Sequence, residues 1–204
     1  MIHLPHYRYD VAPGGSEPAR PSPMLIFLHG VGECGSDLAL VRRHGPPSLS
    51  RQHGLDRFLV VSPQCPSGSE WVAGHLDEFI RAAMLGLSVD PERVYLTGIS
   101  MGGFGAWDLA VRSPELFAGV AVVCGGGEAR HAARLATVPI WLVHSAGDRS
   151  VPVDRTDRLF DALRRHDADV TYTRYKRLGH VETWREFYGS RVLYDWFLQH
   201  QRPG

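Results

Sequence analysis

A chain of 204 residues with no net charge has little to offer a polyanion. Its 22 basic residues are balanced by 22 acidic ones. That balance removes the electrostatic term that dominates nucleic-acid binding and weakens any attraction to an anionic membrane surface. Lysine is almost missing, Lys176 being the only one, and pairs such as Arg42-Arg43 and Arg164-Arg165 read as solvated helix faces. Cysteine is scarce as well. Cys34, Cys65 and Cys124 have the spacing of neither a disulfide framework nor a zinc site and are expected to be reduced. Cys34 and Cys65 each follow an expected strand, so their sulfurs could approach if those strands are neighbours. No apolar stretch reaches the ~20 residues that cross a bilayer. The residues from Met1 to Arg8 lack the basic, apolar and small-residue segments of a secretory signal. Cytoplasmic residence is expected, with no cofactor, no metal, and neither nucleic acid nor membrane as partner.

What is present is the patterning of one α/β domain over residues 1–204. Met24 to Leu28, Phe58 to Val61, Val94 to Leu96, Val120 to Val123 and Ile140 to Val143 are short continuous apolar runs. Strands buried on both faces of a parallel sheet read this way. Between them lie helical periods, clearest in Leu76, Phe79, Ile80, Ala83, Met84 and Leu87. Phe104, Trp107 and Val111 give a second helix its buried face, and Ser113-Pro114 ends it. Val170 to Tyr175 reads as a late strand, and Leu193, Trp196 and Phe197 mark a closing helix. The expected architecture is an open, mostly parallel sheet with helices on both faces. Residues 1–22, with Gly14-Gly15-Ser16-Glu17-Pro18, are expected to form a hairpin or loop at a sheet edge, leaving 24–198 as the core.

In such a sheet the ligand crevice lies beyond the carboxyl ends of the strands, so the chemistry is sought in the loops that follow the apolar runs. Gly98-Ile99-Ser100-Met101-Gly102 follows one run and opens a helix, the context of a nucleophile elbow, and makes Ser100 the candidate nucleophile. A serine hydroxyl needs a base to take its proton and a third group to orient that base. Asp148, after the strand at 140–143, and His180, after the late strand, supply them. The order Ser, Asp, His is that of α/β-hydrolases. Asp154 and Asp157 are the fallback acids. His29-Gly30-Val31-Gly32-Glu33, at the end of the first core strand, can aim backbone amides at a developing oxyanion. The expected donors are the amides of Met101 and Val31, with Gly32 as second choice. Gly32, Glu33 and Trp71 are candidate substrate contacts, whereas His29 and Trp184 read as packing residues.

Taken together, FLHGVGECGSDL, VVSPQCP, RVYLTGISMGGFGAWDLA, the Asp148 loop and Gly179-His180 resemble the serine esterases of the α/β-hydrolase superfamily. The phospholipase/carboxylesterase set is the most similar group. The resemblance covers about residues 24–198 and implies Ser100 as nucleophile, His180 as base, Asp148 as orienting acid, and Val31 and Met101 as oxyanion donors. It implies a small-molecule ester as substrate. Only about fifteen residues separate Val123 from Pro139, where lidded lipases insert a cap. An open crevice suited to short-acyl esters is expected. An acyl thioesterase and a prolyl-peptidase-like hydrolase are the alternatives, and a non-catalytic binding protein of the same fold is a remote one. A dienelactone-type hydrolase usually carries cysteine at the elbow, so Ser100 argues against that reading.

Overall fold

The computed structural model describes residues 4–12, 21–49 and 52–203. Seven strands form one sheet: β1 (Arg8–Ala12), β2 (Ser22–Leu28), β3 (Leu59–Gln64), β4 (Val89–Ile99), β5 (Gly119–Val123), β6 (Ile140–Ser145) and β7 (Val170–Tyr175). Their order across the sheet is β1-β3-β2-β4-β5-β6-β7. All neighbours are parallel except β1, which runs antiparallel to β3. Five helices flank the sheet: α1 (Ala73–Gly86), α2 (Met101–Arg112), α3 (Asp154–Arg164), α4 (His180–Tyr188) and α5 (Arg191–Leu198).

The unbroken apolar runs follow from burial on both faces. Along β2, Met24, Ile26 and Leu28 point into one core with Leu76, Phe79, Trp107 and Leu159 from α1, α2 and α3. Leu25 and Phe27 point the other way, to Trp184, Phe187, Tyr194 and Phe197 from α4 and α5. A strand with no solvent face has no place for polar alternation.

Two expectations change. The first strand lies at the sheet edge but pairs with β3 instead of β2, so the two make no hairpin; the run from Gly14 to Pro18 falls outside the described residues. The expected closing helix is present as α5, capped where the Ser190 hydroxyl accepts from the Val192 amide at 3.2 Å, and a second helix that the sequence did not announce precedes it. The earlier of the two, α4, starts at His180, which is therefore a first-turn helical residue and not a loop residue. Between β5 and β6 the chain makes only a 3-10 stretch at Ala129–Leu135, so no cap domain is inserted there.

One register positions the site. β2 and β4 are neighbours with Leu28 opposite Gly98, yet the chain leaves β2 toward one side of the sheet and β4 toward the other. This is the switch point at which crevices open in such sheets. The backbone of α2 then packs directly on the end of β2. A Cβ at Gly102 would fall on the Leu28 carbonyl, and one at Gly98 on the Gly102 carbonyl, in each case well inside contact distance. Because backbone cannot give way as a flexible side chain can, Gly98→Ala and Gly102→Ala are each expected to cost about 1–3 kcal/mol of stability. Urea unfolding measures this, and unchanged midpoints would contradict the contact.

Candidate active site

Ser100 sits between the end of β4 and the start of α2 with φ 54° and ψ −120°, a left-handed conformation costly for a residue with a Cβ. The surrounding backbone holds it there. Its amide donates to the Val123 carbonyl at 3.0 Å, and its carbonyl accepts from Gly103 and Phe104 at 2.8 and 3.1 Å. The Met101 amide, in the first turn, has no partner within the helix.

Asp148 and His180, 32 residues apart in sequence, meet through a 2.6 Å contact between Oδ2 and Nδ1. The carboxylate can only accept, so Nδ1 carries the proton and Nε2 of the neutral ring is left as a base. Asp148 takes three further donors. Its Oδ1 accepts from the amides of Ser150 (2.8 Å) and Val151 (3.0 Å), and its Oδ2 lies 3.1 Å from Nε2 of His144. Burial is the largest single influence on the Asp148 carboxyl and would raise its pKa. The hydrogen bonds from His180, Val151 and Ser150 together outweigh it and hold the carboxyl below its usual range. His144 is fully buried, and burial pushes its imidazole below the ordinary value. Its Nε2 faces two acceptors, Asp148 Oδ2 and the Val151 carbonyl, and so carries a proton, while Nδ1 lies 2.7 Å from the Thr156 hydroxyl, which itself donates to the Gly125 carbonyl at 3.0 Å. Sequence reasoning missed this second imidazole on Asp148, although the spacing His144-x-x-x-Asp148 was visible. The fallback acids are engaged elsewhere, Asp154 with Arg158 and Asp157 with Tyr172 and Arg174.

Ser100 and the Asp148–His180 pair share the rim formed by the ends of β4, β5 and β6. Cys124, next to the residue that anchors the Ser100 amide, reaches the His180 carbonyl through Sγ at 3.8 Å. Among the described residues no hydrogen bond joins Ser100 Oγ to His180. Such bonds are often long in an unliganded site and tighten in the Michaelis complex.

The loop after β2 is tied down from within. His29, buried, donates from Nδ1 to the Gly30 carbonyl (2.6 Å) and accepts at Nε2 from the Cys65 amide (3.0 Å). Burial lowers the His29 pKa, consistent with that neutral tautomer. The Trp71 indole donates to the His29 carbonyl at 3.1 Å, and the Gln64 amide donates to the carbonyls of Glu33 and Asp37 at 3.0 and 2.8 Å. Gln64 carried no sequence signal for this role. Val31 heads the following 3-10 turn and is 71% exposed, and Gly32 has open space where a side chain would be.

Glu33 is buried, 3.5 Å from Nε2 of His44, which packs on Trp184. Burial raises the Glu33 carboxyl; burial first, then Arg43 and Arg185, lower the His44 imidazole. Both shifts work against an ion pair between the two. Trp71 is buried too, yet one side of it borders a cleft of about 500 Å³ that also meets Val31, Met101, Phe104 and Asp108. Cys34, Cys65 and Cys124 are free thiols. Among the described residues the metal-ligating side chains within mutual reach are Cys124, His144 and Asp148. The histidine and the carboxylate there are already bonded to each other, and the other carboxylate oxygen is filled by two amides.

The Dienelactone hydrolase family matches residues 64–185, a span that includes Ser100, Asp148 and His180. The chain belongs to that family. This corrects the exclusion drawn from the elbow residue: the family accommodates this chain with serine at position 100. The wider α/β-hydrolase assignment holds, since a solved thermostable esterase superposes with a TM-score of 0.85 at 29% identity, covering 95% of this chain and 59% of that one. Poly(3-hydroxyalkanoate) depolymerase C of Paucimonas lemoignei is 30% identical over 122 residues, 52% of this chain and 28% of that protein. NocK of Nocardia uniformis subsp. tsuyamanensis, named as an esterase, is 29% identical over 179 residues, 80% of this chain and 49% of that protein. The chain thus spans half or less of these two curated relatives. Among the described residues no helix is long and apolar enough to cross a membrane.

The depressed Asp148 pKa makes a stability prediction. Because the folded-state value lies below the unfolded one, the ionised carboxylate contributes stability above the unfolded value of about 3.9 and loses it as pH falls through the lower folded value. Below about pH 4 the stability gap between the wild type and Asp148→Asn is therefore expected to narrow as the carboxylate takes up its proton. Urea titrations at each pH measure it, and a gap that widens with acid would contradict the assignment.

Proposed function

We propose that this chain is a serine hydrolase that cleaves carboxylic esters through an acyl-enzyme on Ser100. The observation that carries this reading is the 2.6 Å contact between Asp148 and Nδ1 of His180, which leaves the other ring nitrogen as a base on the rim that holds Ser100. In the first step Nε2 takes the hydroxyl proton as Oγ bonds to the ester carbonyl carbon, and the carbonyl oxygen becomes an oxyanion held by the amides of Val31 and Met101. The tetrahedral intermediate collapses, the carbon–oxygen bond to the alcohol breaks, and Nε2 returns the proton to the departing alkoxide. Water then takes the alcohol's place. It gives a proton to Nε2, attacks the acyl carbon, and releases the acid with Ser100 restored.

Asp148 keeps the His180 ring in the productive tautomer and stabilises the imidazolium formed in each half-reaction. The left-handed backbone of Ser100 supports the same reading, since strain of this kind persists where surrounding structure over-determines it. The family membership and the esterase-named relatives add to it. With only a 3-10 stretch between β5 and β6, nothing there extends the crevice into a long acyl tunnel.

Ser100→Ala and His180→Ala are each expected to lower kcat on p-nitrophenyl acetate by at least about 10³-fold. Across p-nitrophenyl esters of rising chain length, kcat/KM is expected to peak between acetate and butyrate. Full activity in Ser100→Ala would remove the serine from the mechanism, and an optimum at long chains would contradict the open crevice.

A further inference from the structure

The cleft beside the candidate oxyanion amides has charged walls of one sign. Its volume of about 500 Å³ suits a small ligand group. Val31, Met101, Trp71 and Phe104 line it, and its charged lining residues are Glu70 and Asp108, both acidic and both exposed. The Trp71 ring is fixed in place by its bond to the His29 carbonyl and by the backbone of Gly105, where a Cβ would strike the indole. Neither Glu70 nor Asp108 forms a salt bridge or a hydrogen bond among the described residues, whereas nearby carboxylates are engaged: Glu128 with Arg130, and Asp77 with Arg81 and Ser113. Asp108 also borders a second cleft that holds Arg81, Arg112, Arg134 and His131; there Arg81 bonds Asp77 and Glu115, Arg112 stands against Gly74 and acts on Asp77, and Arg134 donates to the carbonyls of Val111 and Arg112. Partial burial and the neighbouring Glu128 raise the Asp108 carboxyl, with His131 opposing them. A charge held in this way gains from an arriving cation.

We propose that this cleft selects esters carrying a cationic group on a compact apolar body, a quaternary or primary ammonium, seated between Trp71 and Phe104 and facing Glu70 and Asp108. The inference rests on the ester-hydrolase reading above and specifies its substrate class. Aromatic faces and unpaired carboxylates act in the same direction, the ring quadrupoles attracting the cation where it is partly desolvated and the carboxylates setting its sign. A neutral group of the same shape receives only the apolar contact. The cation can sit on either side of the scissile bond.

The test compares matched esters that differ only in charge. For the alcohol side the pair is butyrylcholine and 3,3-dimethylbutyl butyrate; for the acyl side it is the methyl esters of 4-(trimethylammonio)butyrate and 5,5-dimethylhexanoate. In at least one pair kcat/KM is expected to favour the cation by about tenfold, mostly through KM, with the ratio shrinking as salt is added. In Glu70→Gln/Asp108→Asn that ratio is expected to fall toward one, while Glu92→Gln, near the opposite end of β4 from Ser100, keeps it. Hydrolysis of the neutral esters reports the underlying activity separately. If they are cleaved and the cation brings no advantage in either pair, the inference is overturned and the hydrolase reading survives. A ratio that persists in the double variant, or a preference for neutral polyhydroxylated esters over both pairs, also overturns it. If no ester is cleaved at all, both readings fall.

Discussion

The direct backbone contact between the end of β2 and the first turn of α2 is the constraint on which the rest of the site depends. With Leu28 opposite Gly98, and Gly102 resting on the Leu28 carbonyl, the loop that begins at His29 and the turn at Ser100 cannot move independently. One rigid unit therefore carries the candidate nucleophile and both candidate oxyanion amides. Preorganised donors are worth most when nothing has to rearrange during the reaction. The hydrogen bonds of His29, Gln64 and Trp71 serve this unit, since each fixes the loop after β2 to β3 or to the segment that leads into α1.

The other half of the site is organised around one carboxylate. Asp148 sits on the loop after β6 with four donors around it, two amides and two imidazoles of different exposure. His144 is sealed in the core under α3 through Thr156, whereas His180 keeps an exposed edge at the start of α4. The buried ring anchors the acid from below and the exposed one is presented to the crevice. The same residue type thus takes two places, set by burial and by which nitrogen meets an acceptor.

Most of the sheet was legible because strands buried on both faces leave unbroken apolar runs between polar loops, and a parallel sheet puts the informative loops at one rim. The positions of Ser100, Asp148 and His180 followed from those loops and from their order in the chain. What was not legible depends on contacts distant in sequence. Pairing of β1 with β3 leaves no local mark, because the strand at Arg8–Ala12 has the same alternation whichever neighbour it joins. The start of α4 at His180 was hidden by Gly179, which reads as a loop residue and serves as the N-cap. His144 and Gln64 look like any polar residue near a strand end until the loops they serve are in place. Cysteine at the elbow of a related enzyme class was a poor guide to family, because family membership rests on the whole span from 64 to 185 and one nucleophile can stand for another in the same turn.

The account turns on a serine made nucleophilic by its neighbours. Treatment with a fluorophosphonate, followed by peptide mapping in a mass spectrometer, tests this most directly. The account predicts one phosphonylated residue, Ser100, with labelling slowed by orders of magnitude in Asp148→Asn, where the orienting carboxylate is gone but the fold remains. Modification at another serine, or equal labelling rates in the two proteins, would contradict it.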